Sequence, residues 1–267
     1  MNNEIYLKIC DFGAINDAEI NINKINVIGG VNSSGKTIVS KLLYCYLKSL
    51  NGYDLDNLME SEGLANCSKK KVEYNLDVYS DVFYLENISI LDLMNSSFMN
   101  SNHIKHVKEC LEIEKSGKSD KITSKIQGII SEDCYSSAGI RQIGVIQILL
   151  ENGSLGENSF LIIDEPESNL HPDWQIRFAE ILVLLTKELN VTLYLNSYSP
   201  IFIEAISLYA QYYDLIKNTS IYLTKKQNNG RFNFKKINPK NMGEVYENLT
   251  KPYDELDALK AEILFKE

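Results

Sequence analysis

Cysteine, proline and positive charge are all in short supply in this chain. Five cysteines (Cys10, Cys45, Cys67, Cys110 and Cys134) are scattered through 267 residues with no C-x-x-C pair. That odd, dispersed set excludes a disulfide framework and reads as reduced thiols, the pattern of a cytoplasmic protein. Of the 5 prolines, all but Pro166 itself lie beyond that residue, so no proline-marked linker divides the chain. No apolar run approaches the roughly 18 residues that cross a bilayer, and no signal-peptide pattern is present, so no membrane partner is expected. Lys and Arg number 27 against 36 Asp and Glu, a net charge of −9. Proteins that grip a phosphate backbone usually carry the opposite sign, so nucleic acid is expected only through a partner. Histidine is scarce too. His103 and His106 stand three apart with no third ligand close in sequence, and read as surface residues rather than a metal pair.

Against these absences one stretch stands out: Ile25-Asn-Val-Ile-Gly-Gly30-Val31-Asn32-Ser33-Ser34-Gly35-Lys36-Thr37. A short apolar run enters a glycine turn, and a helical pattern follows at once. Gly30 to Thr37 fits G-x-x-x-x-G-K-S/T in the strand–turn–helix setting that this phosphate-binding motif requires. Such a turn points successive backbone N–H groups inward as an anion nest, and the helix adds the positive end of its dipole. Gly30, Asn32, Ser33, Ser34, Gly35, Lys36 and Thr37 are therefore candidate cofactor-binding residues. Lys36 is placed to reach the β- and γ-phosphates of ATP, and the Thr37 hydroxyl to ligate Mg²⁺.

Residues 4–9 and 19–24 alternate apolar with polar and read as antiparallel strands, joined by a turn-rich Asp11–Asp17. In the helix from Thr37, the residues Ile38, Leu42, Leu43, Tyr46 and Leu50 form a stripe directed at the core. From 51 to 133 the pattern is mainly that of a helical insertion, with helices at Ile88–Met94, Lys105–Glu114 and Lys121–Ile130 and a strand at Asp81–Glu86. A second apolar strand, Phe160-Leu-Ile-Ile, delivers Asp164 and Glu165 at its C-terminal end, the end at which open α/β sheets bind ligands. Pro172-Asp173 opens a helix, Val191–Leu195 is a further strand, and Asn229-Gly230 marks a hairpin. Two short helices close the chain. The expected fold is α/β: a mostly parallel core sheet, an antiparallel N-terminal β part and the helical insertion, all within one domain over 1–267.

The order of the motifs resembles that of the ABC-type ATPases. Gly30–Thr37 is followed by Ser137-Ala138-Gly139, then by Asp164-Glu165-Pro166-Glu167-Ser168-Asn169-Leu170-His171-Pro172, then by Asn196-Ser197-Tyr198-Ser199-Pro200. Within that superfamily the chain is similar to the bacterial AAA-15/AAA-21-like proteins, relatives of the SMC heads and of the OLD ATPases. The resemblance implies a Walker A cradle at Gly30–Thr37 and a Walker B acid, Asp164, that holds Mg²⁺ together with Thr37. It implies that Glu165 is the general base, with Lys36 and the switch residue Tyr198 also catalytic. Ser137 and Gly139 match the signature loop, which caps the nucleotide of an opposite subunit, so a homodimer sandwiching ATP is implied. Ser168 to His171 fall in the loop that faces that subunit. Tyr198 stands where the family carries histidine, and slow hydrolysis follows from the loss of that donor. Glu86 stands near the family's metal-contacting glutamine.

The interval between Thr37 and Ser137 is far too short for the coiled-coil arm of an SMC protein. A separate effector, a nuclease or toxin, is therefore implied, in the setting of defence against phage. Two other functions are weighed beside this one: an ATP-locked assembly module with negligible turnover, and a DNA-maintenance ATPase, which the net charge disfavours.

Overall fold

The computed structural model describes residues 4–65, 71–86, 101–114, 121–129 and 141–265. The expected helix at Ile88–Met94 and the Ser137-Ala138-Gly139 loop lie outside them.

A nine-stranded sheet organises the chain, in the order β4-β1-β2-β9-β8-β3-β7-β6-β5. Strands β1 (Tyr6–Phe12) and β2 (Ile15–Asn21) pair antiparallel, from Tyr6 opposite Asn21 to Phe12 opposite Ile15. Their connection is only Gly13-Ala14, tighter than the expected Asp11–Asp17. Gly13 takes it in the left-handed region, φ +54°, where a Cβ is strained. Strand β3 (Ile25–Gly29) is buried at every position and lies between β7 (Thr192–Ser197) and β8 (Thr219–Lys226), parallel to both. Strand β6 (Phe160–Asp164) pairs parallel with β7 on one side and β5 (Val82–Glu86) on the other. Strand β9 (Phe232–Ile237) returns antiparallel to β8 through the expected hairpin at Asn229-Gly230, with Gly230 at φ +81°.

Residues 51–133, expected to be mainly a helical insertion, supply both edges of this sheet. Strand β4 (Val72–Asn75) pairs with β1 at one edge and β5 lies at the other.

Helix α1 (Lys36–Leu50) and the short α2 (Leu55–Ser61) cover one face of the sheet. Helices α3 (Asn102–Leu111), α4 (Lys121–Ile129), α5 (Arg141–Glu151), α6 (Pro172–Leu189) and α7 (Pro200–Tyr212) bear on the other core. The central strands serve both: Phe160 and Ile162 join the first cluster, Leu161 and Ile163 the second. That two-sided burial is why β3 and β6 read as unbroken apolar runs rather than alternating ones. Helix α1 is buried over almost its whole length, yet Leu50, expected in its core stripe, is exposed at its end. Helices α8 (Gly243–Leu249) and α9 (Lys251–Leu264) end the fold. Among the described residues, no helix is long and apolar enough to cross a membrane.

Candidate functional site

Parallel pairing brings the C-terminal ends of β3, β7, β6 and β5 to one edge of the sheet. Gly29 lies opposite Ser197, Asn196 opposite Asp164, and Asp164 opposite Glu86. Chain segments far apart in sequence thus discharge their polar residues into the same crevice. A cavity of about 300 Å³ opens there, walled by Asn32 to Thr37, Asp164, Glu165 and Asn196.

The glycines of the loop are dictated by packing. A Cβ on Gly30 would stand 1.9 Å from Thr224 Oγ1, and one on Gly35 would stand 2.7 Å from Ile15 Cγ1. Gly35, at φ +94°, is also the residue from which α1 springs. No acidic side chain occupies the first turn of α1, so its N-terminal amides and dipole remain available to an anion. The Lys36 ammonium folds back onto the loop and donates to Gly30 O at 2.7 Å and Val31 O at 2.9 Å. Burial lowers its pKa, while the Asp164, Glu165 and Glu167 carboxylates work the other way.

Asp164 is buried at the tip of β6 and richly held. Ser40 Oγ and Asn196 Nδ2 donate to its Oδ1 at 2.7 and 2.5 Å, and the Tyr84 hydroxyl donates to Oδ2 at 3.1 Å. Burial raises its pKa, and the bonds from Ser40, Thr37, Asn196 and Tyr84 oppose that rise. Thr37 and Asp164 thus both stand in the cavity wall. A hydroxyl and a carboxylate are the hard oxygen donors that Mg²⁺ takes alongside phosphate and water, so these residues fit that ion. Ser34 Oγ and Asn196 Oδ1, buried in the same wall, find no partner among the described residues, as expected of groups left for a polar ligand.

Glu165, the next residue, sits at φ +55°, a left-handed conformation unusual for glutamate. Its amide donates to Asn196 O at 2.9 Å, which fixes the turn. Strain at such a position is commonly retained where it aims a side chain. The Glu165 carboxylate accepts through Oε2 from the Tyr198 hydroxyl at 2.7 Å and from Ser168 Oγ at 3.1 Å. Tyr198 is pushed up to about 12, by burial first and then by the bond to Glu165 and the charges of Glu165 and Glu167, with Ser168 opposing. Its ring lies 5.8 Å from the Lys36 ammonium.

Residues 96–200 match the family described as "AAA domain, putative AbiEii toxin, Type IV TA system". The match takes in Asp164, Glu165 and Tyr198 and excludes Gly30–Thr37. No curated protein matches the chain. Among solved structures, the SMC head domain from Thermotoga maritima aligns with a TM-score of 0.50 at 11% identity, over 88% of this chain and 99% of that one. An ATP-binding cassette of an ABC transporter in its ADP conformation aligns at 0.49 and 12%, over 94% and 97%. A third, cbiO1 from Clostridium perfringens, part of an ABC transporter complex, aligns at 0.47 and 17%, over 99% and 100%. This chain shares the fold of that SMC head domain.

Lys36, Thr37, Asp164 and Glu165 come together in the wall of this cavity beside Asn32 to Gly35, and Tyr198 reaches it through Glu165. Ser137 and Gly139 lie outside the described residues. Ser168, implied to face a second subunit, turns its hydroxyl inward to Glu165, whereas His171 is exposed and caps α6. Glu86 faces Lys41 at 3.8 Å and His103 at 3.6 Å.

Sequence reasoning missed Ser40, Tyr84, Glu167 and Asn196. Ser40 was findable, because it lies one helical turn beyond Thr37 on the same face. His103, expected on the surface, is fully buried, its Nδ1 2.7 Å from Glu62 Oε2 and its ring 4.5 Å from that of Tyr84. His106 is mostly buried as well, with Nε2 3.0 Å from Asp81 Oδ2. A possible ligand atom from each of Asp81, His106 and Cys110 lies within 4.8 Å of the others. Lys48, however, already donates to Asp81 at 2.7 Å, and a second cation there works against a metal. The group is an ion-pair cluster bracing β5 against α1 and α3.

Proposed function

We propose that this chain binds ATP with Mg²⁺ and hydrolyses it slowly, two copies closing around the nucleotide to gate a separate effector protein. The observation that carries this reading is the convergence of Lys36, Thr37, Asp164 and Glu165 on a single cavity at the strand ends. Lys36 releases the loop carbonyls and pairs with phosphate. Thr37 and Asp164 would hold Mg²⁺, which supplies charge neutralisation across the β- and γ-phosphates when bound. Glu165 accepts the proton of the attacking water, and Tyr198 keeps its carboxylate oriented.

The Ser137–Gly139 loop of a second copy would complete the site, so nucleotide and association are coupled. Defence against phage, with a nuclease or toxin as effector, is the biological setting proposed for it, in the cytoplasm. Phosphate release by the purified protein, measured beside Glu165→Gln, tests the chemistry. The wild type should release phosphate and the variant should not, while retaining ATP and a larger hydrodynamic radius. Equal release from both would mark contamination and end the hydrolytic reading.

One observation favours a second reading, an ATP-locked assembly module. The base is already tied by two hydroxyls through one oxygen, Oε2, a contact that has to be shared or given up before that oxygen can accept from water. ATP-dependent association without phosphate release would select that reading.

A further inference from the structure

Glu167 is a buried carboxylate that the proposed chemistry leaves without a task. Only 5% of the residue is exposed. Its Oε1 accepts the backbone amides of Tyr198 at 2.8 Å and Ser199 at 3.2 Å. These two amides stand where β7 has ended and α7 has not begun, so neither ladder nor helix provides them with an acceptor; the Ser199 amide is shared with Ser197 Oγ at 3.0 Å. Ser199 is itself the cap of α7, its hydroxyl accepting from Phe202 N at 3.2 Å. The backbone that carries Tyr198 is therefore fixed from across the crevice by the turn that follows β6.

The same turn carries Glu165, two residues earlier, whose carboxylate receives the Tyr198 hydroxyl at 2.7 Å. Turn and switch are joined through backbone and through side chain, with Ser168 Oγ also 3.4 Å from the Tyr198 hydroxyl. A buried charge is costly unless its lone pairs are used: Oε1 is engaged, Oε2 finds no partner among the described residues, and burial raises the pKa of Glu167 against the bonds that favour its charged form. A small apolar residue would fill this space at less cost, so the carboxylate's distinguishing contribution is its acceptor geometry.

We propose that Glu167 is a positioning residue: by accepting the Tyr198 and Ser199 amides it holds the Tyr198 phenol on the Glu165 carboxylate, and so orients the base. This rests on the hydrolytic reading above. Glu167 is no part of the cavity wall; it reaches the base through Tyr198, and its charge also bears on the Lys36 ammonium.

The test compares Glu167→Leu, of similar bulk without an acceptor, with Glu167→Gln, whose carbonyl can accept the same two amides. Glu167→Ala serves as a second acceptor-free variant should the leucine protein not fold. Each is combined with Tyr198→Phe. Phosphate release gives kcat and KM, and ¹³Cζ-tyrosine NMR at neutral pH, with Tyr198 assigned by its loss in Tyr198→Phe, reports the phenol. The acceptor-free variant should lower kcat about tenfold with KM within about twofold, as Tyr198→Phe does, and the double variant should fall no further. Glu167→Gln should recover most of that loss, and the Tyr198 resonance should move only in the acceptor-free protein.

A leucine or alanine variant with wild-type kcat, losses that multiply with Tyr198→Phe, or a glutamine variant as impaired as leucine would each overturn the proposal. If the wild type releases no phosphate, the hydrolytic reading fails by itself. The NMR arm then decides separately: an unmoved resonance overturns the positioning, and a moved one sustains it without catalysis.

Discussion

The Tyr198 hydroxyl donates to Glu165 Oε2 at 2.7 Å across the gap between β7 and β6. A neutral phenol, pushed up to about 12, stays protonated through the physiological range and offers a single fixed donor. A histidine there could present a second N–H and, when protonated, a charge toward the γ-phosphate. Tyr198→His should therefore raise the rate of phosphate release by roughly an order of magnitude, a part of the 10²–10³ that a lost transition-state donor costs. Tyr198→Phe should lower it with ATP affinity unchanged. Steady-state phosphate release at saturating ATP reads both, and an unchanged or slower histidine variant would count against the assigned role.

Gly30 is held to glycine by Thr224, whose Oγ1 would lie 1.9 Å and Cβ 2.9 Å from any added Cβ. Gly30→Ala must push β8 away from β3 in the fully buried centre of the sheet. Overpacking of that kind costs on the order of 1–3 kcal/mol. Thr224→Ala in the same chain removes the oxygen but leaves the Cβ contact. It should return only part of the lost stability. Chemical unfolding of the two single variants and the double variant gives the coupling directly. Strict additivity would show that the contact is relieved elsewhere.

The parts legible in the sequence were those fixed by short-range pattern. The loop from Gly30 to Thr37 and the acids after β6 announce themselves because a strand, a turn and the next residues lie within one window. The hairpin at Asn229-Gly230 is read the same way. What escaped depended on distant pairing. Nothing near Val72 or Val82 says that β4 and β5 close opposite edges of one sheet. The burial of His103 depends on Glu62, 41 residues away, and on the Tyr84 ring. Nothing in its own window marks Glu167 either, since the two amides it accepts belong to residues 31 and 32 positions later.

Lys36 shows how a binding group can cost stability in the empty protein. Its ammonium is buried, with its pKa lowered by that burial, and among the described residues it donates to two loop carbonyls. Lys36→Met removes the desolvated charge and leaves those carbonyls unpaired, so the two effects oppose. The nucleotide-free variant should melt within a few degrees of the wild type. Nucleotide should separate them. At 100 times its dissociation constant a ligand adds about 2.7 kcal/mol to a native state, and the variant should lose that gain. Thermal melts with and without MgATP measure both. A full ATP-induced shift in Lys36→Met would remove the lysine from the phosphate site.

The Asp81–His106 pair predicts a definite pH window for stability. Burial opposes charge on His106, but its hydrogen bonds to Asp81 and Cys110 outweigh that and lift it from 6.5 to about 9. For Asp81, burial acts upward, while the bonds from His106 and Lys48 prevail and bring it from 3.8 down to about 2. A raised histidine contributes fully below its unfolded value and loses its contribution as pH rises through the folded one. A depressed aspartate contributes above its unfolded value and loses it as pH falls through the folded one. The pair therefore contributes most between about 3.8 and 6.5, and fades toward pH 9 as His106 discharges. His106→Asn should cost on the order of 1–3 kcal/mol at pH 6. The difference from wild type should shrink by pH 9.5, because the wild type has then lost the same interaction. Urea unfolding of both proteins across that range provides the measurement, and a pH-independent difference would mean that the imidazole contributes through its packing on Phe83 rather than its charge.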